Sequence, residues 1–96
     1  YRYLREAVWI ACQEPDVLIS VTKRLYPEVA KRFNTTDKQV ERAIRNAIET
    51  AWSNGEPETL KAFFEEIYGD GTIRPTNTEV IEKMVGFFRS TKNSRD

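Results

Sequence analysis

Val40, Ala43, Ile44, Ala47, Ile48, Ala51 and Trp52 recur at i, i+3, i+4 and i+7 without interruption. Only an α-helix puts such positions on one face, so this stretch fixes a long amphipathic helix and excludes a strand. Its ends are written in the sequence as well. Thr36 stands three residues before Gln39, the spacing of a capping box. Asn54 and Gly55 supply a left-handed stop. The predicted helix therefore spans about 36–54. Just before it, Pro27 suits a first helical turn, Val29, Ala30 and Phe33 point inward, and Asn34 is a candidate left-handed terminator. A short helix over 27–33, a tight turn and a long capped helix make a helix-turn-helix, the arrangement that can lay its second helix in the major groove of duplex DNA.

The rest of the chain also reads as helical, with no convincing period-2 run of β-branched residues. A first helix over 3–13 carries Leu4, Ala7, Val8, Ala11 and Cys12, widened by Trp9 and Ile10, and ends before Pro15. A short helix over 16–25 turns Val17, Leu18, Val21 and Leu25 inward. A helix over 57–68 buries Leu60, Phe63, Phe64 and Ile67. Gly69-Asp70-Gly71 makes a loop, and Thr76 with Glu79 forms a second capping box opening a last helix to about Arg89. Trp9, Trp52 and the Phe-rich last helix read as core, Cys12 as an inert buried thiol, and the tail from Ser90 as frayed. The expected fold is all-α: about six helices around one core, with 1–96 as a single domain.

Absent residue types narrow the chemistry. The 96 residues hold one cysteine and no histidine, which rules out an intrachain disulfide and the usual zinc sites and removes the commonest general base. With no Gly-rich phosphate loop either, no enzyme, metal or cofactor is expected. No apolar run approaches the roughly 20 residues of a membrane span, and no signal peptide is visible, so a cytoplasmic setting without membrane contact is expected. Fifteen basic and fifteen acidic residues cancel overall, yet the charge is polarised. Seven basic against three acidic residues lie between Thr22 and Arg45, and one basic against five acidic between Gly55 and Asp70. Such asymmetry can steer a polyanion to one face.

On a 100° wheel, Lys38, Arg42 and Glu49 point away from the apolar centre of the long helix, flanked by Gln39, Arg45 and Asn46. Recognition helices read bases with their N-terminal half, which selects Lys38, Gln39, Glu41, Arg42, Arg45 and Asn46, the base-reading role falling on all of these but Lys38. Arginine offers a fork to guanine, glutamine and asparagine pair with adenine, and glutamate accepts from cytosine. Phosphate candidates are Lys31, Arg32 and Lys38, with the N–H groups and hydroxyls of Thr35 and Thr36 beside the helix N-terminus. The plainer reading is a solvated face laced by weak i,i+4 pairs such as Glu41–Arg45; Lys38–Arg42, a like-charge i,i+4 pair, argues against it. Lys31 and Arg32 read equally well as ordinary surface charges, and Arg74-Pro75-Thr76-Asn77 reads as a cap rather than a phosphate contact. A rival from another class keeps the helix-turn-helix as scaffold for binding a protein such as a sigma factor, with weak or no DNA specificity; zero net charge and the acidic fifth helix favour it.

YLREA at Tyr3–Ala7, TKRLYPEVAKRFNTT at Thr22–Thr36, VERAIRNAIETAWSNG at Val40–Gly55 and RPTNTEVI at Arg74–Ile81 resemble the C-terminal effector domain of the sporulation master response regulator family, stage-zero sporulation protein A. The resemblance implies a six-helix DNA-binding domain behind a phosphorylatable receiver in a two-component phosphorelay, so the chain is expected to be a fragment of a longer protein. It implies activation or repression of transcription at a short box, often by a head-to-tail pair on tandem boxes. By position, the family's base-reading face falls on Gln39, Glu41, Arg42 and Arg45. The family has arginine where this chain has Gln39 and histidine where it has Asn46. In the family, the region matching Glu56–Thr72 includes a surface that contacts the polymerase sigma factor. Phe64 matches it, Glu65, Glu66 and Asp70 do not; Phe64 and Glu65 are the candidates for that surface.

Overall fold

The computed structural model describes residues 1–69, 71 and 73–94, with side chains through residue 90. Five α-helices appear among them: α1 (Arg2–Gln13), α2 (Tyr26–Arg32), α3 (Asp37–Asn54), α4 (Glu58–Tyr68) and α5 (Asn77–Ser94). No strand is present among the described residues.

α1 stops at Glu14, whose φ of −131° and ψ of 79° lie outside the α region that a following proline disfavours. The helix expected over 16–25 is helical but not α: Pro15–Ser20 winds as a 3-10 turn and Val21–Leu25 as a π turn. Ser20, at φ −140° and ψ 69°, breaks the two apart. Val17, Val21 and Leu25 still go inward, at 0%, 7% and 0% exposure; tight and wide turns together deliver the stripe that one α-helix would have carried. α5 runs past Arg89 to Ser94, so the backbone of 90–94 is helical rather than frayed. Asp70, in the expected loop, lies outside the described residues.

The core is one cluster. Leu4, Ala7, Val8, Ile10 and Ala11 of α1 meet Val29 and Ala30 of α2, Val40, Ile44, Ile48 and Ala51 of α3, Leu60 and Phe64 of α4, and Val80, Ile81, Met84 and Val85 of α5. Val40, Ile44 and Ile48 are wholly buried, each worth about 1.5–3 kcal/mol. That places the polar face of α3 outward by necessity. α1 is the hub, packed on α2, α3 and α5.

Three aromatic expectations fail. Trp9 is 54% exposed, Phe87 39% and Phe88 48%. Trp9 sits nearly opposite Ala11 on the α1 wheel, about 160° away at 100° per residue, so the stripe cannot include it. Phe87 and Phe88 form a surface ladder, Phe87 edge-on to Phe63 at 5.8 Å and Phe88 to Phe87 at 5.7 Å. Trp52 meets Phe64 at 5.5 Å and Tyr68 at 5.8 Å, as core packing requires. Cys12 is half-buried against the core rather than sealed inside it.

Candidate nucleic-acid interface

The turn between α2 and α3 is built by backbone hydrogen bonds. Asn34 adopts φ 54°, the Thr35 N–H donates to Ala30 C=O at 2.9 Å and the Asn34 N–H to Lys31 C=O at 3.4 Å. This pair of bonds is a Schellman motif, with asparagine in the left-handed position. Thr36 then caps α3: its hydroxyl oxygen accepts from the Gln39 N–H at 3.2 Å. Among the described residues the Gln39 side chain makes no return bond, so the box is half closed and the Gln39 amide faces solvent. The far end stops at Gly55, φ 75°, whose N–H donates to Ala51 C=O at 3.1 Å.

Gln39, Arg42, Arg45 and Asn46 are exposed and Glu41 is half-buried on this outward face. Lys38 and Arg42, one turn apart, are exposed and form no ion pair among the described residues. Arg45 is committed differently. Its Nη1 donates to Glu41 Oε2 at 2.6 Å, joining two of the candidate reading residues.

The phosphate candidates divide. Lys31 is exposed and forms no ion pair among the described residues. Arg32 donates to Glu6 Oε2 at 2.9 Å and lies 5.5 Å over the Trp9 ring, so its guanidinium ties α2 to α1. The Thr35 N–H is taken by Ala30, which leaves its hydroxyl. The Thr36 hydroxyl accepts from Gln39 and keeps its own proton to donate.

Orientation of α3 depends on a residue the sequence pattern did not single out. Asn77, the first residue of α5, is buried at 9% exposure. Its Nδ2 donates to the Tyr26 hydroxyl at 3.1 Å and to the Glu41 carbonyl at 3.1 Å. One amide thus fastens α2, α3 and α5 at the level of the reading face. Tyr26 is 3% exposed. Burial pushes its phenol above the ordinary value, the Asn77 bond pulls it down, and Glu41 and Arg45 act in opposite directions. Nothing in periodicity marks Asn77; the only signal is an amide placed at the first turn of a helix already capped by Thr76. That cap is complete. The Thr76 N–H donates to Glu79 Oε1 at 2.9 Å and the Glu79 N–H to Thr76 Oγ1 at 3.2 Å; the Thr76 N–H, and after it the Thr76 side chain, hold the Glu79 carboxyl below its usual pKa. Arg74, half-buried, sits 3.9 Å from Glu49 of α3.

Phe64 is 4% exposed inside the aromatic cluster, so it belongs to the core and not to a docking surface. Glu65 is exposed beside it, 3.8 Å from Lys61. No described helix is long and apolar enough to cross a membrane. The family described as sporulation initiation factor Spo0A C terminal matches residues 1–86 of the chain.

Proposed function

Because the chain belongs to the Spo0A C-terminal family, we propose that it binds double-stranded DNA in a sequence-specific way to regulate transcription at the onset of sporulation. Arg42, Gln39 and Glu41 read base edges from α3, with Arg45 and Asn46 behind them. Lys38, Lys31 and the Thr35 and Thr36 hydroxyls grip phosphate. The observation that carries this reading is the outward face of α3. Lys38 and Arg42 stand exposed there, without ion pairs among the described residues, in the first two turns of a helix whose N-terminus favours anions. A face built for stability alone would pair these cations with carboxylates at i,i+4.

The same reading includes a receiver domain elsewhere in the full protein, head-to-tail pairing on tandem sites and a contact of Glu65 with a sigma factor. Its test is binding to a family-type box and to scrambled DNA at several salt concentrations. Arg42→Ala is expected to erase the preference for the box, a loss of about 1–3 kcal/mol of discrimination. Lys31→Ala is expected to weaken both duplexes alike and flatten the salt slope by about one unit. Equal affinity of the unmutated protein for box and scrambled duplex removes the specific reader.

A further inference from the structure

Arg2, Arg5, Glu6 and Trp9 fall at i, i+3, i+4 and i+7 on the outer face of α1. With Arg32 and Phe33 from the end of α2 they line an open groove of about 370 Å³. Three guanidinium groups face one carboxylate. Glu6 is taken by Arg32 at 2.9 Å, so Arg2 and Arg5 carry the uncompensated charge. Both are exposed and neither forms an ion pair among the described residues. Arg2 is also held in place: its guanidinium lies 5.1 Å from the Phe33 ring centre and 5.7 Å from that of Tyr3, and those two rings pack together at 4.9 Å. Stacking fixes the plane of the guanidinium while leaving its edge N–H groups to donate, which suits a phosphate.

We infer that this groove grips a second stretch of DNA backbone, through Arg2 and Arg5, beside the one reached from α3. The inference rests on the DNA-binding reading above and extends it to α1. Phe33 belongs both to the groove and to the turn. Thr36 follows it three positions later, with Asn34 and Thr35 between, at most about 11 Å of chain. The major groove is about 12 Å wide, so a helix lying in it has a bordering phosphate strand within that span. A carboxylate-bearing partner would meet the same cations, but Glu6 and Arg32 already satisfy each other there, and the polyanion this protein is proposed to bind lies alongside.

The experiment measures the salt dependence of binding for the unmutated protein and for Arg2→Gln/Arg5→Gln on single-box duplexes with long and trimmed flanks. Each lost phosphate contact removes about 0.9 from the slope of log K against log salt. The double variant is expected to flatten the slope by about 1.8 units, with the box preference intact and the two proteins converging on the trimmed duplex. Arg2→Lys/Arg5→Lys is expected to recover most of the slope, a result loss of folding does not give. An unchanged slope in the Gln variant overturns the inference while leaving the α3 reading in place. A loss seen only on tandem boxes also overturns it, since the groove then serves a second copy of the chain. Absence of any salt-dependent DNA binding by the unmutated protein overturns this inference together with the proposed function.

Discussion

Removing the Asn77 amide tests whether one side chain sets the pose of the reading helix. Asn77→Ala deletes two hydrogen bonds, to the Tyr26 hydroxyl and to the Glu41 carbonyl, both at 3.1 Å. Each net bond is worth about 0.5–1.5 kcal/mol. The site is 9% exposed at Asn77 and 3% at Tyr26, so water does not readily replace the lost donor. The Glu41 carbonyl keeps its helical bond, so its share of the penalty is small. The expected destabilisation is about 2 kcal/mol, or a fall of roughly 8–16 °C in Tm for a domain of this size. Urea unfolding followed by circular dichroism measures it, with a lower midpoint at unchanged m-value. A double-mutant cycle with Tyr26→Phe isolates the phenol bond, with about 1 kcal/mol of coupling expected. A cost of Asn77→Ala below about 0.5 kcal/mol, or no coupling to Tyr26, refutes the claim that this amide locks the three helices.

Other substitutions probe the ends of the helices. Thr36→Ala removes the cap on Gln39 and is expected to lower stability by about 1 kcal/mol, read from the same urea midpoint. Gly55→Ala forces a side chain into φ 75° with its Cβ 2.9 Å from Lys61 Cδ; the left-handed conformation alone costs roughly 1–2 kcal/mol, so Gly55→Ala should be at least as destabilising as Thr36→Ala. Glu79 titrates below its usual range in the folded protein because of its bonds to Thr76. A depressed folded pKa gives stability that is present above the unfolded value, about 4.3, and is lost as pH falls through the folded one. Glu79→Gln should therefore reduce the acid-side loss of Tm, and an identical acid profile for the two proteins contradicts the assignment.

Most of the helical framework was legible because its signals are local. Pro15 ends α1, Asn34 and Gly55 take left-handed conformations, and Thr36 and Thr76 cap, all within a few residues of the groups they satisfy. What was not legible depends on tertiary contacts. Val17, Val21 and Leu25 repeat every four residues, a spacing that fits an α-helix and equally the mixed 3-10 and π turns that form. Phe64 and Phe87 look alike in a helical pattern, yet one closes the core against Trp52 while the other lies on the surface. Trp9 faces out because the α1 wheel puts it nearly opposite Ala11, but the Arg32 guanidinium that lies over its ring comes from α2 and had to be seen in the packed structure. Among the candidate contacts, Lys38 and Arg42 needed only the wheel. The engagement of Arg32 with Glu6, 26 positions away in the chain, and the Asn77 amide needed the packed structure.

The Glu41–Arg45 pair bears directly on how the proposed reading face works. At 2.6 Å, with side chains 36% and 44% exposed, it is an exposed i,i+4 ion pair, worth about 0.3–0.5 kcal/mol. A bidentate contact of Arg45 with guanine, or of Glu41 with cytosine, is worth about 1–3 kcal/mol of discrimination. The pair is therefore weak enough to open on a matching base and strong enough to hold both side chains in order when none is present. Arg42 has no such partner among the described residues and pays no opening cost. It follows that Glu41→Gln should leave the Arg42-dependent preference unchanged while altering selectivity at the positions Glu41 and Arg45 reach. Selection of bound sequences from a random duplex pool reads both effects at once. Simultaneous loss of preference at every position in Glu41→Gln would show that the pair holds the whole face together, contrary to the separation of roles argued from these magnitudes.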